Sequence, residues 1–335
     1  MRTHPMPWPS RRAFGVASCL PLPRRAASVA VYLPLLLAAC ELEEVSVVDV
    51  EDVVVAEVYV NVKEIPTENQ VLGLLHKTVG PTDPGDVRTE LVGSRLTVRR
   101  SDGTPIPVQG ADPELCLEEE PQSRGVACFL ADVDDASGIR PGELLELDVE
   151  LPDGGRLEGA TRVPGGFELL GVPQRCTLAP DTLLPLRWSR ADGAWAYVNE
   201  TAISGLPGAL EPEGIDVEED PLYLLGLSIS DSDTTIVFPS EFGVFNRFEL
   251  EQDLAVRLQR GLPVSTRAEV TVTAVDRNYV NWARGGSFNP SGQVRIPSLR
   301  GDGTGVFAAT VGRRMVLDVA SEPLPGIPLC LSDGG

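Results

Sequence analysis

Six cysteines carry the most distinctive chemistry in this sequence. Cys40 ends the run Leu37-Ala38-Ala39-Cys40, which follows an apolar segment and precedes the acidic Glu41-Leu42-Glu43-Glu44. A short apolar segment that follows two arginines and ends in small residues and a cysteine is typical of a bacterial secretory signal, whose cysteine receives lipid as the segment is removed. The pattern predicts acylation of Cys40, and it places the rest of the chain outside the cytoplasm.

Two other interpretations of the leader stay open. Val16-Ala17-Ser18-Cys19 also resembles a lipidation site, but the apolar stretch before it is shorter than a signal peptide needs. Ser10-Arg11-Arg12-Ala13-Phe14 resembles a twin-arginine export signal, and a start codon downstream of Met1 would delete it. A membrane-spanning helix is disfavoured, because the apolar segment 26–39 is shorter than the roughly 20 residues that a crossing needs and contains Pro34.

Processing at Cys40 leaves four cysteines in the mature chain, Cys116, Cys128, Cys176 and Cys330. An even number of cysteines in an oxidising compartment indicates two disulfides, for which three connectivities are allowed. Cys116 and Cys128 flank a short acidic loop, whereas Cys176 and Cys330 lie at the two ends of the second half of the chain. We predict the pairs Cys116–Cys128 and Cys176–Cys330. A structural zinc site is disfavoured, because the mature chain has one histidine and no C-x-x-C spacing.

The sequence contains no arrangement of residues that amounts to an active site. A Ser-His-Asp device would need His76, whose strand-like surroundings favour a solvent-facing side chain. Acidic runs are typical of solvated loops, whereas a glycosidase needs two acids at a set distance in a cleft. Asp132, Asp134 and Glu143 match three positions of a calcium loop, but its required inner acid and glycine are missing. We predict no catalytic residue, no metal and no cofactor, so the protein is not expected to be an enzyme.

The net charge of the chain is consistent with a location outside the cytoplasm. The chain has 28 Lys and Arg against 49 Asp and Glu, a net charge of −21. Residues 1–39 contain five of the arginines and no acid, which leaves 23 basic against 49 acidic side chains in the mature part. Nucleic acid is excluded as a natural partner, because its phosphate backbone rewards basic patches. The simplest interpretation of the acidity is solubility through mutual repulsion, and binding of calcium or a cationic ligand is the alternative.

The elements that must position any site are strands. The 33 glycines and 29 prolines are high for a helical protein and suit short strands joined by turns. β-Branched density and polar-apolar alternation predict strands at 53–62, 71–75, 95–100, 144–151 and 156–163. Asp102-Gly103 and Asp153-Gly154 are typical of tight turns, and the second turn makes a hairpin of the last two strands. The fold class is therefore predicted as all-β, and the length allows about two domains.

Two resemblances refine this prediction. Residues 53–164 resemble a small transthyretin-like or carboxypeptidase-regulatory sandwich, through the strand and Asp-Gly turn at 95–103 and the run 141–147 followed by Asp153-Gly154. Residues 165–335 resemble a fibronectin type III module, through Leu186-Arg187-Trp188 with its core tryptophan, 193–198, 268–276 and 306–319. Ala268 stands where that family has its corner tyrosine.

The resemblances imply two tandem β-sandwich domains that follow a lipoprotein signal peptide, with Pro164-Gly165-Gly166 as the linker. The predicted parts are a signal peptide at 1–39, a lipidated tether at 40–52, the first sandwich at 53–164 and a fibronectin type III-like sandwich with long loops at 165–335. In this order of parts, the mature chain resembles a family of Gram-negative surface lipoproteins known only as a domain of unknown function. That resemblance implies an outer-membrane setting near uptake systems, and it carries no catalytic residues.

The predicted function is that of an outer-membrane lipoprotein, facing the periplasm or the cell surface, that binds a ligand or a membrane partner such as a transporter or secretion component. Tyr279, Trp282 and Phe288 are the predicted binding residues, because aromatic side chains cluster in the long segment 277–305. The alternative is a structural spacer in an outer-membrane complex, and an extracytoplasmic hydrolase is third. Buried Trp282 and Phe288 would indicate a scaffold, whereas exposed rings side by side would indicate a site.

Overall fold

The computed structural model describes residues 53–78, 90–116, 125–228, 230–240, 251–284 and 295–330. The strands in these ranges are β1 (Val54–Val62), β2 (Gln70–Lys77), β3 (Arg95–Arg100), β4 (Pro105–Ala111), β5 (Ala127–Ala131), β6 (Leu144–Glu150), β7 (Arg156–Arg162), β8 (Leu169–Leu170), β9 (Arg175–Leu178), β10 (Leu184–Trp188), β11 (Ala196–Ser204), β12 (Leu222–Leu227), β13 (Thr235–Phe238), β14 (Arg267–Val275), β15 (Leu299–Gly301) and β16 (Thr304–Val319). The helices are α1 (Val133–Ala136), α2 (Leu206–Leu210), α3 (Gln252–Leu258) and α4 (Arg277–Arg284). This content confirms the all-β prediction.

Several predicted features lie outside the described residues. They are the signal peptide at 1–39, the acylated Cys40 with its tether to residue 52, and Phe288. Within the described ranges, no helix combines the length and the apolar character that a membrane crossing requires.

β1 shows why these sequences form strands. Ala56, Val58 and Val60 face the core, while Glu57 and Tyr59 between them face outward. This period of two is the geometry of a pleated strand. The predicted hairpin of β6 and β7 is confirmed, since the two strands pair in antiparallel register from Leu144↔Arg162 to Glu150↔Arg156.

The first half of the chain forms a sheet that curls back on itself. Its strand order is β1-β2-β5-β4-β3-β6-β7-β15, and β15 runs through Asp302 and Gly303 directly into β16. β16 then pairs with β1, the first strand of the same sheet. A Cβ added at Gly303 would lie 2.6 Å from the Val54 carbonyl oxygen and 3.3 Å from Leu157 Cδ2. β1 and β7 therefore meet where β16 begins.

β16 belongs to both halves of the structure. Its first part pairs in parallel with β1, from Val55↔Thr304 to Val62↔Val311. Its later part pairs with β14 on one edge and with β9 on the other. Gly305 has φ +144°, and a Cβ there would overlap the Ala56 carbonyl oxygen, so only glycine permits this approach of β16 to β1.

The second half packs two sheets around an aromatic core. The strands β12-β11-β14-β16 continue the large sheet, and β13-β10-β8 form the small one. Trp188 and Tyr197 meet edge to face with their ring centroids 5.4 Å apart, and Phe167 meets Tyr197 at 5.8 Å. The Ala191 N–H donates to the Tyr197 hydroxyl at 2.8 Å. Trp188 is 5% exposed, which confirms its predicted place in the core.

The predicted division near Pro164 requires a correction. β15 and β16 come after this residue in the chain, yet they complete the sheet formed by β1 to β7. The described residues form part of one compact unit, Val50–Gly335. Sequence patterns identified the strands on both sides of Pro164, but they did not show that the partner of β1 lies near the other end of the chain.

Both predicted disulfides are present. Cys116 and Cys128 have Cα atoms 6.0 Å apart, and Cys176 and Cys330 have Cα atoms 4.9 Å apart. Both distances are typical of disulfides. The second bond joins β9 to the C-terminal residues, which also bridge to Thr177. It therefore fastens Leu329 and Cys330 beside the last part of β16.

A fragment of residues 53–164 is expected not to fold, because the loss of β15 and β16 leaves the edge of β1 unpaired and opens its core to water. The measurement is amide dispersion by NMR together with cooperative unfolding in urea. The mature chain from residue 41 is the control. A fragment with dispersed amides and a single cooperative transition would contradict the shared sheet.

Candidate functional site

The segment predicted as a long binding loop begins with a helix. α4 spans Arg277–Arg284, and the segment ends in β15 and the start of β16. The prediction of one long loop over 277–305 is therefore wrong for its described parts. Asp276, which directly precedes the helix, is the missed signal, since aspartate is a preferred helix N-cap. Tyr279 and Trp282 are three residues apart and so share one face of α4.

Both faces of the Trp282 ring are covered by other side chains. The ring packs on Val306 and Ala308 of β16 and on Val55 of β1, and the residue is 8% exposed. The guanidinium of Arg295 lies over the ring, with Cζ 4.8 Å from the ring centroid. A ligand has no open face of this indole to stack on, and the ring binds α4 to the sheet instead.

Tyr279 is half-buried beside a second tyrosine. Its ring meets Tyr59 edge to face, with centroids 6.2 Å apart. The Tyr59 hydroxyl donates to Glu57 Oε2 at 3.0 Å, and Arg295 Nη1 lies 3.4 Å from Glu57 Oε1. Burial raises the pKa of Tyr59, and the Glu57 carboxylate raises it further. Burial likewise raises the pKa of Tyr279, with a smaller contribution from Glu200. Both phenols therefore stay protonated at neutral pH.

The structure thus brings Tyr279 and Trp282 together with three residues that the sequence did not single out. These are Glu57, Tyr59 and Arg295. Alternation along β1 was the available signal for the first two, because it places Glu57 and Tyr59 on the outer face. Arg295 gave no such signal, since it is brought to Trp282 only by the path of the chain after α4.

Asp276 fastens the start of α4 to both halves of the molecule. Its Oδ1 accepts the Tyr279 N–H at 2.8 Å, and its Oδ2 accepts the Thr161 hydroxyl of β7. The residue is 4% exposed, and burial raises its pKa to about 6 against the lowering effect of these hydrogen bonds. Next to it, Asn278 Nδ2 donates to the carbonyls of Ala160 at 3.0 Å and Phe307 at 2.8 Å.

The other candidate groups serve structural contacts. His76 lies on β2 opposite Val55, and no described hydroxyl or carboxylate hydrogen-bonds to it. Glu143, the last position of the calcium-like loop, accepts Arg100 Nε at 2.8 Å and the Arg140 N–H at 3.1 Å. Among the described residues, no group of three acidic, histidine or cysteine side chains is placed to hold a metal ion.

An open groove of about 530 Å³ lies on the outer face of β3, β6, β7 and β15. We call it the charged groove. Its charged side chains are those of Arg99, Glu146, Asp148, Glu158 and Arg300. Ala160 and Ser298 also line it, so the groove borders the contact between Asn278 and the Ala160 carbonyl.

The burial of Asp276 predicts a pH-dependent cost. Between about pH 4 and 6 the folded protein keeps a proton that the unfolded chain releases, so stability falls as the pH rises through this window and remains lower above it. A tenfold change in proton affinity corresponds to about 1.4 kcal/mol, so the full cost is about 3 kcal/mol. Asp276→Asn keeps a capping oxygen and cannot ionise. Its free energy of unfolding is expected to rise relative to the wild type by about this amount between pH 4 and pH 7.5, measured by urea titration.

The matched control is Asp216→Asn at an exposed carboxylate, whose difference from the wild type is expected to change far less over the same range. A constant difference between wild type and Asp276→Asn at every pH would show that the carboxyl titrates normally.

Comparison with known proteins adds little to this description. No protein-family model and no curated protein matches the chain. Among solved structures it is similar to the fibronectin(III)-like modules of CbhA from Clostridium thermocellum, at 9% identity over 80% of this chain and 95% of that chain, with a TM-score of 0.19. It is also similar to a DUF4785 family protein from Legionella pneumophila, at 11% identity over 65% of this chain, with a TM-score of 0.18. The chain spans about half of that second protein, matching 51% of it. At these TM-scores neither likeness supports an argument about function.

Proposed function

We propose that this protein is a non-catalytic lipoprotein, anchored in the outer membrane through Cys40, that acts as a rigid scaffold and holds a partner at a set distance from the membrane. The observation that carries the proposal is the double pairing of β16, with β1 at its start and with β14 and β9 at its end. One continuous strand through both halves resists bending between them. At about 3.3 Å per residue, its 16 residues extend for about 50 Å.

The entry point of the tether supports this arrangement. The described chain begins at Val53, next to the start of β16, since Val55 pairs with Thr304. The far end of β16 lies beside Arg267 and the loop that precedes it. Val53 and the loops around residues 205 and 265 are therefore at opposite ends of the strand.

The burial of the aromatic side chains on α4 favours a scaffold over a loop-based ligand site. The burial of Trp282 and Phe288 is the feature that distinguishes the two functions. Phe288 lies outside the described residues, and Trp282 is packed between the sheet and Arg295. Tyr279 packs against Tyr59. Flat aromatic surfaces bind ligands when they are open to solvent, and these two rings are not.

His76 is the one histidine after residue 39, and no described serine, threonine or carboxylate hydrogen-bonds to it. A histidine-based acyl transfer requires such a contact.

Acylation of Cys40 is tested by labelling cells with a radioactive fatty acid. The wild type and Cys19→Ser are expected to carry the label, and Cys40→Ser is expected to lose it, because the thiol is the lipid acceptor. Label that disappears in Cys19→Ser and persists in Cys40→Ser would overturn the anchor assignment.

The scaffold role is tested by changing the reach of the tether. A photo-crosslinking amino acid is placed in separate variants at exposed Val92, Tyr223 and Val264, and adducts are collected from intact cells. Deletion of residues 45–50 removes about 20 Å of reach. The deletion is expected to reduce severalfold the yield of a crosslinked adduct with one envelope protein, or to move the crosslink to another of the three positions.

The control replaces residues 45–50 with a glycine-serine segment of equal length, which is expected to preserve the adduct. Cys40→Ser is expected to abolish it. If no adduct forms, or if the shortened and full-length tethers give the same adduct at the same position, the scaffold proposal fails.

A further inference from the structure

The charged groove has an ordered arrangement that follows from strand register. Arg99 on β3 lies opposite Glu146 on β6. Glu158 on β7 lies opposite Arg300 on β15. The two glutamates occupy the two central strands, which are neighbours in the sheet, and the two arginines occupy the outer strands. The floor therefore presents positive, negative and positive charge in sequence across four strands.

These four side chains are free to bind something else. Each is exposed, and none of them forms an ion pair or a side-chain hydrogen bond with another described residue. Opposite charges directly across a strand pair usually attract each other. Here Arg99 and Glu146 stay apart, and so do Glu158 and Arg300.

The groove also contains a like-charge contact that costs stability. Asp148 on β6 lies directly opposite Glu158 on β7, and like charges in this position are destabilising. Arg156 neutralises Asp148 through a salt bridge and leaves Glu158 without a partner in the described structure. A destabilising contact that no gain in packing offsets is typical of functional sites.

We propose that the charged groove binds an extended segment of a partner protein in which an acidic, a basic and an acidic side chain alternate at every second residue. The two acidic side chains contact Arg99 and Arg300, and the basic side chain between them contacts Glu146 and Glu158. The inference rests on the proposed scaffold function, since it names the surface and the partner chemistry.

The dimensions of the sheet match this ligand. Neighbouring strands are about 4.8 Å apart, so β3 and β15 are separated by about 14 Å across the sheet. Arg99 and Arg300 lie in rows that are two residues apart along the strands, which lengthens the diagonal between their Cα atoms to about 16 Å. In an extended chain, side chains two residues apart lie on the same face, and residues four apart are separated by about 13 Å. The difference of about 3 Å is within the reach of the long arginine and glutamate side chains. The groove lacks an aromatic side chain among its described lining residues, which disfavours a sugar ligand that would stack on a flat ring.

The experiment is an NMR titration of the mature chain carrying Cys40→Ser, which removes the lipid site. The probe is an end-blocked pentapeptide with glutamate at its first and fifth positions, lysine at its third and threonine between them. Saturable shifts are expected in the amides of β6, β7 and β15. The charge-reversed peptide, with lysines outside and glutamate inside, is expected to bind at least fivefold more weakly.

The excess of 49 acidic over 23 basic side chains in the mature part makes this comparison stringent. Non-specific attraction to an acidic protein favours the charge-reversed peptide, so the opposite preference must come from the groove. Arg99→Gln/Arg300→Gln is expected to weaken binding of the first peptide at least fivefold. Arg187→Gln/Arg260→Gln removes two exposed arginines elsewhere and is expected to leave it unchanged.

The proposal is overturned if no saturable shift occurs, if both peptides bind equally, or if the Arg99→Gln/Arg300→Gln variant binds like the wild type. Its failure is distinguishable from failure of the scaffold. A tether-dependent adduct without peptide binding would leave the scaffold and remove the groove. Peptide binding without an adduct would support the groove as a binding surface and remove the scaffold.

Discussion

The parallel pairing of β16 with β1 is the constraint on which the rest of the structure depends. It closes the first sheet, because β15 and β16 are continuous and contact strands at opposite ends of that sheet. It also continues the same sheet into the second half through β14. Gly305 permits the approach, since a side chain there would overlap the Ala56 carbonyl oxygen. One backbone contact of high sequence separation therefore determines whether the molecule behaves as one body or two.

α4 reinforces this joint with polar contacts that are expensive to bury. Asp276 accepts hydrogen bonds from Thr161 and from the first turn of the helix, and Asn278 bridges the Ala160 and Phe307 carbonyls. The raised pKa of Asp276 reflects the cost of holding a carboxylate away from water. Trp282 covers the outer side of the β1–β16 contact. Trp282 and Tyr279, which were predicted from the sequence as binding residues, thus cover the strand pair that holds the two halves together.

The proposed scaffold function would assign stability and recognition to different parts of the structure. The buried side chains of α4 and β16 provide rigidity, while the outer face of β3, β6, β7 and β15 is free to carry unpaired charge. Regular strands hold exposed side chains at nearly constant spacing, which suits recognition of a charge pattern. The acidic surface elsewhere would discourage association with other acidic chains.

The sequence by itself determined the elements of this protein and much of its covalent frame. Alternation and Asp-Gly turns predicted β1, β3, β6 and β7, and cysteine spacing predicted both disulfides. The strands and turns depend on neighbouring residues in the sequence, and the disulfides were predicted from the number and spacing of the cysteines. Only the tertiary structure decided that β16 joins β1, that Trp282 is buried, and that Arg99 and Arg300 line one groove. Strand partners are chosen by packing between residues far apart in the chain, and alternation within a single strand does not record which strand lies beside it.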